Sequence, residues 1–142
     1  MVMKVLLVDD SKMQRWVIQR DLIKAGFAVV IAGDGEEGLR QAKEEMPDLI
    51  ILDMMLPKIT GLDLLRVLKK DVDTKDIPVV VLTGLSKGNE QKLAKEGAAG
   101  FCEKSEESYK DDSAILIQAV QRALLARPEY AISTKTSLGI TS

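Results

Sequence analysis

Five side chains of complementary chemistry stand just past short apolar runs. Asp9 and Asp10 follow Val5-Leu6-Leu7-Val8, Asp53 follows Leu49-Ile50-Ile51-Leu52, Thr83 follows Val79-Val80-Val81-Leu82, and Lys104 comes shortly after Phe101-Cys102. Three carboxylates gathered in one place repel one another, two unit charges about 4 Å apart interacting by roughly 4 kcal/mol at an effective dielectric near 20. A cation offsets that repulsion. Mg2+ suits the role because it takes hard oxygen ligands, commonly one or two carboxylates, and keeps waters that a phosphoryl oxygen can replace. A carboxylate is also a competent nucleophile toward phosphorus when a metal and an ammonium neutralise the transferred group. On this reading Asp53, alone at its strand end, is the nucleophile, while Asp9 and Asp10 hold the metal. Thr83 offers a hydroxyl to the phosphoryl group and Lys104 its counter-charge. Any one of the five is ordinary as the polar residue where a strand gives way to a loop; five of complementary type are not.

Chemistry of this kind needs the five groups at one edge of one sheet. Uninterrupted apolar runs of this length are what strands covered on both faces look like, as in parallel sheets. In open parallel sheets the carboxyl edge is where ligands bind. Helical patterns of about 10 to 15 residues separate the runs, which argues for successive βαβ units and a parallel sheet of five strands with five helices. Ser11 with Gln14 and Asp34 with Glu37 have the spacing of helix-start capping boxes. Ile18, Leu22 and Ala25 form the expected core stripe of the first helix, and Leu39, Ala42 and Met46 that of the second, which Pro47 stops. Leu65 and Leu68 face inward from the third. The fourth helix, expected over 86–96, has only Leu93 and Ala94 as anchors and contains Gly88, so it should be the least stable. The fifth, over about 112–127, carries Leu116, Ala119, Val120, Ala123 and Leu124 on one face.

With 142 residues the chain is one domain, able to bury roughly 68 to 70% of its unfolded surface around a single core. The expected organisation is a folded domain over 1–127 followed by a flexible tail or linker over 128–142, rich in Ser and Thr. Twenty Lys plus Arg against 22 Asp plus Glu, with no basic block, lack the footprint of a nucleic-acid binder, so no direct nucleic-acid contact is expected. Nothing in the sequence approaches a membrane span of about 20 apolar residues, and the stretch before Asp9 is too short for a signal-sequence core. A cytoplasmic location is expected. The single cysteine, Cys102, reads as a small buried hydrophobe. Histidine is absent, so any phosphohistidine chemistry must come from a partner.

From about residue 3 to 127 the chain resembles a response-regulator receiver domain of two-component signalling, of the chemotaxis-regulator type. The resemblance rests on Val5-Leu6-Leu7-Val8-Asp9-Asp10-Ser11, Asp53-Met54-Met55-Leu56-Pro57 with Gly61, Val81-Leu82-Thr83-Gly84, and Gly97-Ala98-Ala99-Gly100-Phe101-Cys102-Glu103-Lys104. It implies a flavodoxin-like doubly wound sheet of strand order 2-1-3-4-5, for which a chemotaxis regulator is a standard example. It further implies that Asp53 is the phosphoacceptor, that Asp10, Asp53 and the backbone carbonyl of Met55 bind Mg2+ directly, and that Asp9 acts through water. Thr83 and Lys104 would contact the aspartyl phosphate. Such a domain is a phosphorelay component and not an enzyme beyond autocatalytic phosphoryl acceptance and self-dephosphorylation. Two departures stand out: Ser105 where the family usually has proline, and Gly84 where it usually has alanine.

The resemblance assigns the switch to Thr83 and Phe101, and the output to the surface of helix 4, strand 5 and helix 5, in the family often a contact between two copies. Phe101 has a plainer reading as core of a short strand. The expected partner is a sensor histidine kinase or a histidine phosphotransfer protein. Met13 and Trp16 lie off the core stripe of the first helix and are candidates for docking it. Met55 and Leu85 are apolar where an attacking water would be oriented, which predicts slow self-dephosphorylation. A phosphorylation-independent pseudo-receiver and a covalent phosphohydrolase of the haloacid dehalogenase type are the rival readings. The second needs an Asp where Met55 stands.

Overall fold

Val5, Leu6, Leu7 and Val8, Leu49 through Leu52, and Val79 through Val81 are all 0% exposed, so each run is covered on both sides, and a strand with a helix layer on each face meets that demand. The computed structural model describes residues 2–84, 90–103 and 113–127. Among these, strands and helices alternate: β1 (Lys4–Val8), α1 (Lys12–Lys24), β2 (Ala28–Ala32), α2 (Gly35–Glu45), β3 (Leu49–Asp53), α3 (Gly61–Lys70), β4 (Val79–Thr83), α4 (Glu90–Lys95), β5 (Gly100–Glu103) and α5 (Ala114–Leu125). The strands form one sheet of order β2-β1-β3-β4-β5. Every pairing is parallel, with Val8 opposite Ala32 and Leu52, Asp53 opposite Leu82, and Thr83 opposite Glu103. This is the flavodoxin-like doubly wound arrangement expected from the sequence.

Strand periodicity divides the core in two. Val5, Leu7, Leu49, Ile51, Val80, Leu82 and Cys102 pack with Ile18 and Leu22 of α1 and Leu116, Val120, Ala123 and Leu124 of α5. Leu6, Val8, Ile50, Leu52, Val79 and Val81 pack on the other face with Ala42 of α2, Leu64, Leu65 and Leu68 of α3, and Leu93 of α4. Gly38 lets α2 lie close to the sheet, since a Cβ there would stand 3.0 Å from both γ-carbons of Val8. No helix among the described residues is long and apolar enough to cross a membrane.

Three core expectations are corrected. Ala25 is exposed, because α1 ends at Lys24 and Ala25 is its C-cap, beyond the buried stripe that closes at Leu22. Met46 is 55% exposed, because it caps α2 in the left-handed region (φ 46°, ψ 60°), which carries its side chain off the helix face. The fourth helix is described only over Glu90–Lys95, where Leu93 is its buried residue and Ala94, expected as a second anchor, is exposed because it lies one position round the helix from Leu93. The rest of that stretch, residues 85–89, the start of the expected fifth helix before residue 113, and the tail from 128 lie outside the described residues.

Asp21, with Gln14 one of two polar residues on the buried face of α1, is 6% exposed and ties α1 to α5. Its Oδ2 accepts from the backbone N–H of Ser113 at 3.1 Å and from the Ser113 hydroxyl at 2.9 Å, and its Oδ1 accepts from Arg20 Nε at 3.1 Å. Burial raises the pKa of this carboxyl, but the hydrogen bonds from Arg20 and Ser113 outweigh it and hold it below the ordinary value. A depressed folded-state pKa contributes stability above the unfolded value and loses it as pH falls. Asp21→Asn is therefore expected to cost about 1–2 kcal/mol at pH 7. The gap to the parent should shrink below about pH 4, near the unfolded carboxyl pKa, in urea unfolding followed across pH.

Candidate functional site

Because β1 and β3 are neighbours in register, their carboxyl ends deliver Asp9, Asp10 and Asp53 to one place. One carboxylate oxygen from each of the three lies within 4.8 Å of the others. Asp9 is 0% exposed and Asp53 1%, while Asp10 is exposed, so the cluster is a pocket with two inner walls and one open side. The two inner carboxylates are held the same way. Asp9 Oδ1 accepts from the backbone N–H of Ser11 at 2.9 Å, and Asp53 Oδ1 accepts from that of Met55 at 2.9 Å. Each is an Asx turn, in which the side chain folds the chain around itself and is oriented in return.

The turn after β1 leads directly into α1. Ser11 Oγ accepts from the Gln14 N–H at 3.3 Å. The N–H of Ser11, which the capping-box spacing assigns to the Gln14 side chain, is taken by Asp9 instead. At the second cap, Asp34 Oδ1 accepts from Glu37 N at 2.8 Å, and Glu37 Oε2 accepts from Gly33 N at 3.0 Å, one residue ahead of the cap. The loop after β3 is shaped by a close approach: a Cβ on Gly61 would lie 2.5 Å from Asp53 O and 2.6 Å from Met54 Cα, both backbone atoms that cannot yield. Gly61→Ala is expected to cost about 1–3 kcal/mol of stability, measured as a lowered urea midpoint, by forcing this loop off Asp53.

Thr83 ends β4, next to β3, and is 6% exposed. Phe101, opposite Val81 on β5, is half-buried and packs against the α2–α3–α4 side of the core. Lys104, Ser105 and Leu85 lie outside the described residues. Met55 is 68% exposed at the mouth of the acidic pocket. Met13 and Trp16 are 78% and 61% exposed on α1, with the Arg20 guanidinium 5.2 Å from the Trp16 ring centroid, a cation–π distance. Cys102 is buried, and burial raises its thiol pKa with Glu103 adding to the effect, so it is inert packing.

The donor set is all oxygen, anionic and confined to one small volume. Those are the ligand properties of a hard divalent cation such as Mg2+, and the residues present fit it. Sequence reasoning missed Arg15, whose Nη1 donates to the backbone carbonyl of Asp9 at 2.8 Å. An arginine in the first turn of a helix reads as surface, and no local pattern marks it.

Known proteins give a consistent picture. A family model described as "Response regulator receiver domain" matches residues 5–115. The alkaline phosphatase synthesis transcriptional regulatory protein PhoP of Bacillus subtilis is 34% identical over 129 residues, covering 90% of this chain and 50% of PhoP. The polar-differentiation response regulator DivK of Brucella ovis is 34% identical over 106 residues, covering 73% of this chain and 85% of DivK. Among solved structures, the chemotaxis response regulator CheY4 of Vibrio cholerae superposes with a TM-score of 0.78 at 31% identity, covering 87% of this chain and 99% of CheY4. Against longer regulators such as PhoP or the probable transcriptional regulator ycf27 of Guillardia theta, the chain spans 50% and 31% of their length.

Proposed function

The chain belongs to the response regulator receiver domain family of two-component signalling, and from that premise we propose that it accepts a phosphoryl group from a partner's phosphohistidine on Asp53. Domains of this family are signalling modules that work with histidine kinases or phosphotransfer proteins. The observation that carries the proposal is the convergence of Asp9, Asp10 and Asp53, with one carboxylate oxygen from each within 4.8 Å of the others.

In the proposed step an Asp53 carboxylate oxygen attacks phosphorus, the P–N bond of the phosphohistidine breaks, and the imidazole leaves and takes up a proton. The product is an aspartyl phosphate. Asp10, Asp53 and the Met55 carbonyl would hold Mg2+ directly, with Asp9 acting through water, and the bound ion supplies charge neutralisation on the transferred group. The Met55 N–H holds one oxygen of Asp53 and so limits its rotation. The burial of Asp9 and Asp53 keeps bulk solvent, though not the ion's own waters, from the inner wall. Thr83 is read as the hydroxyl donor to the new phosphate and Lys104 as its counter-charge. Thr83 and Phe101 are read as the switch toward a helix 4/strand 5/helix 5 surface that meets an effector or a second copy. The boundaries proposed for the domain are 1–127, with 128–142 as tail or linker.

The test is to incubate the protein with phosphoramidate, a small donor with the same P–N bond, and weigh it intact. One phosphoryl group per chain is expected, dependent on Mg2+; no gain in mass with the metal present would defeat the proposal.

Met13 and Trp16 form the proposed docking surface for the phosphodonor. Trp16→Ala is expected to slow transfer from a phosphohistidine-bearing partner domain about tenfold more than it slows labelling by phosphoramidate, the size of effect an aromatic interface anchor has. Equal effects on the two donors would remove Trp16 from the docking surface.

A further inference from the structure

Arg15 sits in the first turn of α1, half-buried, and reaches back over the end of β1. Its Nη1 donates to the carbonyl oxygen of Asp9 at 2.8 Å, a charge-assisted hydrogen bond. That carbonyl belongs to the peptide unit joining Asp9 to Asp10. The unit is planar, so fixing its oxygen fixes the direction in which Asp10 leaves the strand. On the other side of Asp9, its N–H donates to Ala32 O at 3.0 Å, still bonded to the neighbouring strand β2. The acidic pair therefore stands at the end of the sheet, with Arg15 donating to its first carbonyl.

The guanidinium is itself braced. A Cβ on Gly33, just past β2, would lie 3.0 Å from Arg15 Nη1 and 3.9 Å from its Cζ, so the side chain lies against bare backbone at a place where any larger residue crowds it. The same glycine's N–H is taken by Glu37 of α2 at 3.0 Å. The start of α1 and the end of β2 thus meet at this arginine, and the end of β2 is tied in turn to the start of α2.

We infer that Arg15 is a positioning residue for the divalent cation: by holding the Asp9–Asp10 peptide it aims the Asp10 carboxylate, without touching the ion. The inference rests on the reading of the acidic cluster as a Mg2+ site. Two effects of the guanidinium oppose each other. Its charge, near the carboxylates, disfavours a cation by Coulomb's law. Its hydrogen bond keeps a ligand pre-aimed and favours the cation, as groups that orient metal ligands do. Since the donation goes to the main chain that carries the ligands, the second effect is the larger, and the sign of the change on removing Arg15 separates the two.

The experiment is calorimetric titration of MgCl2 into four proteins: the parent, Arg15→Ala, Gly33→Ala and the double variant, each checked for native far-UV circular dichroism and urea midpoint. Arg15→Ala is expected to bind Mg2+ about tenfold more weakly. Gly33→Ala, which pushes on the guanidinium and leaves Arg15 in place, should weaken binding by less and in the same direction. The double variant should be no weaker than Arg15→Ala alone, because both changes act through one contact. A merely structural arginine would move the urea midpoint and leave Mg2+ affinity where it was. Unchanged or tighter binding by Arg15→Ala, or losses that multiply in the double variant, overturns the inference while the Mg2+ site stands. If the parent itself binds no Mg2+, the site reading falls and the inference with it.

Discussion

Asp53→Asn is expected to abolish labelling by phosphoramidate, reducing it to the background of an unreacted control in intact-mass measurement. In the proposed step the carboxylate is the nucleophile, and a neutral amide oxygen in its place has neither the charge to attack phosphorus nor the means to form the acyl phosphate. The rest of the site should survive the change. Asparagine keeps an oxygen able to accept the Met55 N–H that Asp53 Oδ1 accepts at 2.9 Å, so the loop has no reason to unfold. A variant that is native by circular dichroism and unlabelled therefore reports chemistry and not collapse. Labelling that persists in Asp53→Asn would move the phosphoacceptor elsewhere, with Asp9 and Asp10 the next residues to exchange.

The same substitution is expected to make the metal-free protein more stable. Carboxylate oxygens 4.8 Å apart interact by about 3.5 kcal/mol per pair of unit charges at an effective dielectric near 20, and by less for pairs with Asp10, which is open to solvent and screened. Removing one charge from the buried wall should therefore raise stability by about 1–3 kcal/mol, read as an increased urea midpoint in the absence of divalent cations. Two controls identify the cause. Raising the ionic strength should narrow the gap between the parent and Asp53→Asn, since the repulsions that Asp53 makes with Asp9 and Asp10 are screened in the parent and absent from the variant. Adding Mg2+ at about 100 times its dissociation constant should stabilise the parent by about 2.7 kcal/mol and Asp53→Asn by far less. A variant no more stable than its parent would mean that the strain of the acidic cluster is relieved by something other than a bound cation.

How much of this was open to reading in the sequence depends on the distance over which each feature is specified. The inner strands were legible because Leu49–Asp53 and Val79–Thr83 are covered on both faces, which leaves no polar residue until the strand ends. The acidic cluster was legible for the same reason: once Val8 and Leu52 are paired, the positions of Asp9 and Asp53 follow from chain geometry. Helix details followed less well. Met46 belongs to the apolar period of α2 but falls at its left-handed cap, and periodicity carries no information about φ. Asp21 reads as a surface acid, since its partner Ser113 is 92 residues away. Arg15 was missed because its acceptor is a main-chain oxygen, and no residue type announces which carbonyl a side chain will reach at a strand end. Local sequence specifies which residues reach the edge; the contacts that aim them are set by packing between elements distant in the chain.

The most direct test of the central claim is titration of the protein with beryllofluoride, a mimic of the aspartyl phosphate, in the presence of Mg2+. The account predicts saturable binding of one equivalent per chain, lost on chelating the metal and absent in Asp53→Asn. No binding with Mg2+ present, or binding that survives the loss of Asp53, would contradict it.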